Sequence, residues 1–93
     1  MDPSDEWKRE ICIVVYSTSW CPDCTDAHKV LKRSGFSYQT IDIELVPGAD
    51  DEMKELAGGI RKVPTIIIDS PGGRQILIEP DSESLYNLLR SLH

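Results

Sequence analysis

The hydrophobic residues of this chain fall into short runs that are separated by polar turns. Residues 11–16 form an almost unbroken apolar run rich in β-branched residues, which is typical of a central strand covered on both faces. Alternating apolar and polar residues predict a second strand at 36–43. Residues 65–68 and 75–78 predict two more strands, and the Pro- and Gly-rich turn between them predicts an antiparallel hairpin.

Apolar residues at helical spacing predict three helices. The first begins at Pro22, because proline is favoured at the first helical position, and ends near Ser34, since Gly35 supplies a stop. A stripe of four residues on this helix is expected to be buried: Cys24, Ala27, Val30 and Leu31. Residues 50–57 predict a short second helix with acidic residues at its start. A third helix, with leucines on one face, follows an N-cap at Asp81 or Ser82.

The predicted order of elements is β-α-β-α-β-β-α. Two consecutive strands joined by a helix are parallel with a right-handed crossover, and the short turn makes the last two antiparallel. The sequence therefore predicts an α/β fold with a four-stranded mixed sheet flanked by three helices. Ninety-three residues suffice for a single domain, residues 1–93, whose polar residues 1–9 are expected to fray.

The charge of the chain excludes several kinds of partner. Ten Lys and Arg residues against sixteen Asp and Glu residues give a net charge of −6, which repels nucleic-acid phosphates and anionic membranes. No apolar run reaches the roughly 20 residues of a membrane span, and the acidic start does not resemble a signal peptide. We expect a cytoplasmic monomer that binds neither nucleic acid nor membrane.

The three cysteines carry the candidate chemistry. Cys21 and Cys24 lie three residues apart, whereas Cys12 stands alone in the first strand and is expected to be buried and inert. An odd count of three is too low for a disulfide scaffold. In a reducing cytosol, the Cys21/Cys24 pair therefore indicates redox chemistry or a metal site.

The position of Cys21 just before Pro22 makes it the attacking thiol. The first N–H groups of a helix have no internal partner, so we expect those of Asp23 and Cys24 to donate to the Cys21 sulfur. With the helix dipole, which contributes roughly 0.3–1 kcal/mol when exposed, they favour a thiolate, and the Asp23 carboxylate opposes it. Cys24, one turn further along, is placed to resolve a mixed disulfide on Cys21.

Other residues have two interpretations from the sequence alone. Trp20 either presents a flat surface for substrate docking or packs partly against the sheet. Pro64, which opens the third strand, either has a role in the site or is merely tolerated there. His28 is expected on a solvated helix flank, and with Cys21 and Cys24 it would supply only three metal ligands, so no metal site is predicted.

Two segments resemble the glutaredoxin family: residues 16–24, with the sequence YSTSWCPDC, and residues 62–65, with the sequence KVPT. The similarity extends from Ile11 to Leu92 and is greatest with the bacterial branch that includes mycoredoxins and the small electron donors of ribonucleotide reductase. A lone C-x-x-C motif is weak evidence of this family. A strand before it, a helix after it and Val-Pro about forty residues later make the resemblance specific.

The resemblance implies a thioredoxin fold and a thiol–disulfide oxidoreductase active in electron transport and cell redox homeostasis. Pro64 would follow a cis peptide bond, and the Val63 backbone would pair with an extended thiol peptide such as glutathione. Lys62, Asp81 and Ser82 would face the carboxylates of that peptide. No bound cofactor is implied, and glutathione or another low-molecular-weight thiol is the expected reductant.

Three departures from the family pattern leave the thiol partner open. Thr18 stands where many glutaredoxins have lysine, Asp23 where tyrosine is common, and Glu79-Pro80 where many have Gly-Gly. One alternative is a thioredoxin-like electron donor that is reduced by a flavoenzyme. Another, from a different class, is a metal or iron–sulfur carrier in which Cys21 residues of two chains and a small thiol hold a cluster.

Overall fold

The computed structural model describes residues 10–92, and these form seven elements in the predicted order. The elements are β1 (Cys12–Ser17), α1 (Pro22–Ser34), β2 (Gln39–Asp42), α2 (Ala49–Leu56), β3 (Thr65–Ser70), β4 (Gly73–Ile78) and α3 (Ser82–Ser91). The expected fraying of residues 1–9 lies outside the described residues. The predicted α/β architecture is confirmed.

The four strands form one mixed sheet in the order β2-β1-β3-β4. Strand β1 pairs in parallel with β2 and antiparallel with β3, so Tyr16 lies between Ile41 and Thr65. Strands β3 and β4 form the predicted hairpin, in which Ser70 pairs with Gly73. Because β1 lies between two paired strands, it fixes the position of the segment that leads into α1.

The sheet is covered on both faces. Helices α1 and α3 pack on one face around Val15, Leu31, Ile66 and Leu85, each of which is fully buried. Helix α2 covers the other face, where Met53 packs in a second buried cluster. These two layers bury alternate residues of β1, as the pleat of a strand requires.

Helix α1 has the predicted bounds. Pro22 occupies the start of the helix, and Gly35 ends it with φ of 80°, a left-handed conformation that glycine adopts without a steric penalty. The four residues of the predicted stripe are buried: Cys24, Ala27, Val30 and Leu31. The periodicity of the sequence therefore orients the helix that carries both candidate thiols.

The bounds of the other elements differ from the prediction: β1 (Cys12–Ser17) is shifted by one residue, and β3 (Thr65–Ser70) is two residues longer than predicted. Strand β2 contains only residues 39–42, because Phe36 turns into the α1 side of the core instead of pairing with β1. Helix α2 runs from Ala49 to Leu56, since the buried Ala49 already belongs to its packed face. Strand β4 begins at Gly73, and Asp81 is the N-cap of α3.

Cys12 is exposed, so the prediction that it is buried is wrong. It is the first residue of β1 and lies on the same face of the strand as Val14 and Tyr16. Cover on that face decreases toward the start of the strand, from the buried Tyr16 to the half-buried Val14 and then to Cys12. An apolar run in the sequence does not show where this cover ends.

Candidate active site

The candidate site lies where β1 passes into α1. Ser17 and Thr18 are buried at the end of the central strand, which fixes the path of the short loop before Cys21. Cys21 has extended backbone angles (φ −82°, ψ 119°) and is the N-cap residue of α1. The fold thus places Cys21 at the positive end of the α1 dipole, as predicted.

The Cys21 sulfur contacts the loop before β3. The Cys21 Sγ lies 3.8 Å from the Val63 carbonyl oxygen, which accepts from the thiol. The side chain makes no capping hydrogen bond to α1, so the predicted N–H donation from Asp23 and Cys24 is wrong for this thiol. The reason is that the folded chain places the Val63 carbonyl oxygen within reach of the Cys21 side chain.

Cys24 is covered more completely than Cys21. The exposed fraction is 1% for Cys24 and 7% for Cys21. Burial raises the pKa of the Cys24 thiol, and a hydrogen bond with the Cys21 side chain and the charge of Asp23 raise it further, while the Thr18 backbone partly opposes them. Cys24 is therefore a protonated thiol at neutral pH, and Cys21 is the more accessible of the two thiols.

The Val63-Pro64 peptide bond is cis, as the resemblance implies. Pro64 is buried at the start of β3, and its carbonyl oxygen accepts the Glu79 backbone N–H at 2.8 Å. The structure therefore brings Cys21, Val63 and Pro64 together at the sheet edge. The pairing of Val63 with an extended peptide stays a prediction.

Trp20 projects from the site into solvent. Its side chain is 67% exposed, and its indole N–H donates to a carboxylate oxygen of Glu44, in the loop between β2 and α2. The Glu44 backbone N–H in turn donates to Asp42 Oδ1 at 2.9 Å. The ring is thus held beside Cys21 by a loop acid, with most of its surface uncovered.

Two of the three residues expected to face ligand carboxylates, Lys62 and Asp81, have partners within the chain. Lys62 Nζ lies 3.6 Å from Glu79 Oε2. Asp81 caps α3 by accepting the Ser84 N–H at 3.3 Å, and this contact with Ser84 lowers the pKa of the Asp81 carboxyl. Ser82 is the exposed first residue of α3. Their roles toward a ligand stay predictions.

His28 is half-buried, so its predicted place on a solvated flank is wrong. Its ring stacks on Tyr38 with centroids 5.8 Å apart. Burial, followed by the charge of Lys32, lowers the pKa of His28. Between residues 10 and 92, no group of three or more His, Cys, Asp or Glu side chains could hold a metal ion.

Sequence reasoning missed three residues that contact the site: Thr18 as a partner of Cys24, Glu44 as the partner of Trp20, and Glu79 as the partner of Lys62. The motif drew attention to Thr18 only as a departure from the family. Glu44 and Glu79 belong to loops that the tertiary fold brings back to the site, and a local sequence pattern carries no signal for either contact.

Comparison with known proteins identifies the family. Residues 13–71 match the family model named Glutaredoxin. The chain belongs to the glutaredoxin family. A glutaredoxin of Pseudomonas aeruginosa is 38% identical over 46 residues, a stretch that covers 50% of this chain and 55% of that protein. The chain thus matches little more than half the length of that curated relative.

Two other known proteins are similar to this glutaredoxin-family chain over most of its length. A probable thioredoxin of Archaeoglobus fulgidus is 31% identical over 83 residues, which covers 88% of this chain and 89% of the relative. The crystal structure of a glutaredoxin from the same organism superposes with a TM-score of 0.67 at 23% identity, covering 87% of this chain and 86% of that one. The structural likeness confirms the thioredoxin fold.

A search for transmembrane helices gave a negative result over the described part of the chain: none of its helices has the length and apolar character needed to cross a membrane.

Proposed function

We propose that this chain is a thiol–disulfide oxidoreductase that reduces disulfides or mixed disulfides through Cys21 and Cys24. The observation that supports this function is the difference between the two thiols. Cys21 is the more accessible thiol and lies at the start of α1, whereas Cys24 is fully covered and has a raised pKa. Such an arrangement suits one thiol for attack on a substrate and the other for resolution.

The reaction transfers two electrons in two exchange steps. The Cys21 thiolate attacks one sulfur of the substrate disulfide, forms a mixed disulfide, and releases the other sulfur as a thiolate that takes up a proton. Cys24 then loses its proton and attacks the Cys21 sulfur. The Cys21–Cys24 disulfide forms, and the second substrate sulfur leaves and is protonated. The dithiol is oxidised as the substrate disulfide becomes two thiols.

The reductant that restores the dithiol is part of the proposal. Two molecules of a low-molecular-weight thiol, glutathione or another, reduce the disulfide by the reverse exchange, and no bound cofactor is needed. A second candidate is a flavoenzyme reductase, which is favoured by the likeness to a probable thioredoxin over 88% of this chain. No observation within residues 10–92 favours the metal-carrier alternative.

The proposed setting is the cytoplasm, where the protein, as a single-domain monomer, takes part in electron transport and redox homeostasis. A net charge of −6 supports the exclusion of nucleic acids and anionic membranes from its partners. Disulfide-containing proteins and small disulfides remain as substrates.

Trapping the intermediate tests the proposal. The reduced Cys24→Ser variant is mixed with bis(2-hydroxyethyl) disulfide, a neutral substrate, and its peptides are mapped by mass spectrometry. We expect a stable adduct on Cys21, because the resolving thiol of Cys24 is absent, whereas the wild type releases the adduct. Cys12→Ser serves as the matched control and should behave like the wild type. An adduct on Cys12 alone, or none, contradicts the proposal.

A further inference from the structure

Three carboxylates lie on residues that neighbour or contact the segments next to Cys21, and we name them the acidic rim: Asp23, Glu44 and Glu79. Asp23 lies close enough to raise the pKa of Cys24. Glu44 accepts the indole N–H of Trp20, which directly precedes Cys21. The Glu79 backbone donates to the carbonyl oxygen of Pro64, and the adjacent Val63 carbonyl contacts the Cys21 thiol.

The cations near the rim are already ion-paired within the chain. Lys62 precedes Val63 and pairs with Glu79 at 3.6 Å. Arg61 pairs with Asp50, with 3.4 Å between Arg61 Nε and Asp50 Oδ1. No ion pair recorded for residues 10–92 gives a cation to Asp23 or Glu44. With three carboxylates and the Lys62 ammonium, the immediate surroundings of Cys21 carry a net negative charge.

The backbone fixes the position of Glu79 beside Lys62. Glu79 has φ of 46°, and it is the one residue other than glycine between 10 and 92 with a left-handed backbone. A side chain is disfavoured in that region, where glycine is the usual residue. Its N–H bond to Pro64, at 2.8 Å, anchors this turn to the site. The carboxylate is thus presented to Lys62 by a constrained turn.

We propose that Glu79 sets the substrate specificity of this site: by pairing with Lys62 it keeps the rim acidic, so that Cys21 reacts preferentially with disulfides flanked by cationic groups and discriminates against those that bear carboxylates. This inference rests on the proposed oxidoreductase function and names its substrate class. It follows that basic protein segments around a disulfide are better substrates than glutathione disulfide. Among the low-molecular-weight thiols proposed as reductants, a neutral or cationic thiol is then faster than the anionic glutathione.

The size of the effect follows from Coulomb's law. A unit charge about 7 Å from a reacting group in water changes its rate about threefold. Removing the Glu79 charge should therefore slow the attack on a monocationic arm about threefold and speed the attack on a monoanionic arm about threefold. The ratio of the two rates then falls by roughly tenfold, and the effect weakens with salt, since the Debye length is about 10 Å at 0.1 M.

Single-turnover kinetics at low ionic strength test this specificity. The probes are cystamine, which carries one ammonium group on each arm, and glutathione disulfide, in which each arm is monoanionic at neutral pH. The measured quantity is the ratio of the cystamine rate to the glutathione disulfide rate for each reduced protein.

Glu79→Gln should lower the ratio roughly tenfold. Lys62→Gln should raise it, because one positive charge is lost from the rim. The matched control is Glu55→Gln, at an exposed residue of α2, and this variant should leave the ratio unchanged.

The outcomes separate this inference from the function on which it rests. Reduction of neutral bis(2-hydroxyethyl) disulfide by the wild type, absent in Cys21→Ser, establishes the oxidoreductase whatever the charge preference. The specificity proposal is overturned if Glu79→Gln and Glu55→Gln change the ratio equally, or if Lys62→Gln lowers it. A wild type that reduces none of the three disulfides overturns the proposed function itself.

Discussion

At the level of single residues, the fold covers the two neighbouring thiols to different extents. Cys24 is almost fully buried within α1, and burial is the largest cause of its raised pKa. Cys21 is directed to the Val63 carbonyl at the edge of the site. In the proposed reaction, the attack step is therefore assigned to Cys21. The resolving step requires deprotonation of Cys24 and should accelerate as the pH rises toward the pKa of that thiol.

Asp23→Asn should accelerate the resolving step. The Asp23 carboxylate raises the pKa of Cys24, so its neutralisation lowers that pKa and increases the thiolate fraction at a given pH. A single charge about 7 Å away corresponds to a change of about threefold in water. The rate of release of a preformed mixed disulfide from Cys21, measured against pH, gives the effect.

Asp26→Asn is the control for this prediction. Asp26 is also an exposed acid of α1, but its charge is not among the causes of the Cys24 shift. Asp26→Asn should leave the pH dependence of the resolving rate unchanged. Equal acceleration by both variants contradicts the role given to Asp23.

The sequence predicted the positions of the two candidate thiols in the fold but not the directions of their side chains. The Cys21/Cys24 spacing and Pro22 placed both thiols correctly on α1, because these are local features. The Cys21 contact with Val63 and the exposure of Cys12 depend on segments that pack against β1 and α1 in the folded chain. Such contacts are tertiary, and local periodicity carries no information about them.

At the scale of the elements, a hydrogen bond joins the central strand to α2. The Tyr16 hydroxyl donates to Glu52 Oε1 at 2.6 Å. Burial, followed by this bond, raises the pKa of Tyr16 from 10.0 to about 12. Since Tyr16 is near the end of β1, just before the active-site loop, the bond ties α2 to the strand that positions Cys21.

Tyr16→Phe should remove about 1 kcal/mol of stability at neutral pH, the usual net contribution of one hydrogen bond. The folded state holds the Tyr16 proton more tightly than the unfolded state, so the wild type should lose stability as the pH rises from about 10 to about 12. This loss should be smaller in the variant. Urea unfolding at several pH values measures both effects.

The exposed Tyr86 provides the control. Tyr86→Phe should change neither the stability at neutral pH nor its alkaline dependence. If Tyr16→Phe shows the same alkaline slope as the wild type, the contact with Glu52 does not couple β1 to α2.

Local signals defined some elements better than others. Proline and glycine mark both ends of α1, so its bounds were predicted correctly. The prediction for β2 was too long, because an alternating pattern cannot distinguish a paired residue from Phe36, which enters the core before pairing begins. Element order followed from periodicity, whereas strand length depended on the neighbouring strand.

At the scale of the whole molecule, the fold brings three separate segments to one edge of the sheet. The β1–α1 junction supplies both thiols, and the loop before β3 supplies the Val63 carbonyl. The third segment is the turn after β4, which contains Glu79. The sequence predicted the first two from the motif and its resemblance. It marked Glu79 only as a departure from the family pattern and did not predict its pairing with Lys62. The net charge of −6 has the same sign as the acidic rim.

The state of the three cysteines after one turnover shows whether Cys21 and Cys24 form the redox pair. Fully reduced protein is exposed to one equivalent of bis(2-hydroxyethyl) disulfide, quenched with acid, alkylated under denaturing conditions and mapped by mass spectrometry. If Cys21 and Cys24 are this pair, Cys12 is alkylated and a disulfide joins Cys21 to Cys24. An alkylated Cys21 beside a modified Cys12, or three alkylated cysteines with the disulfide unconsumed, would contradict this assignment.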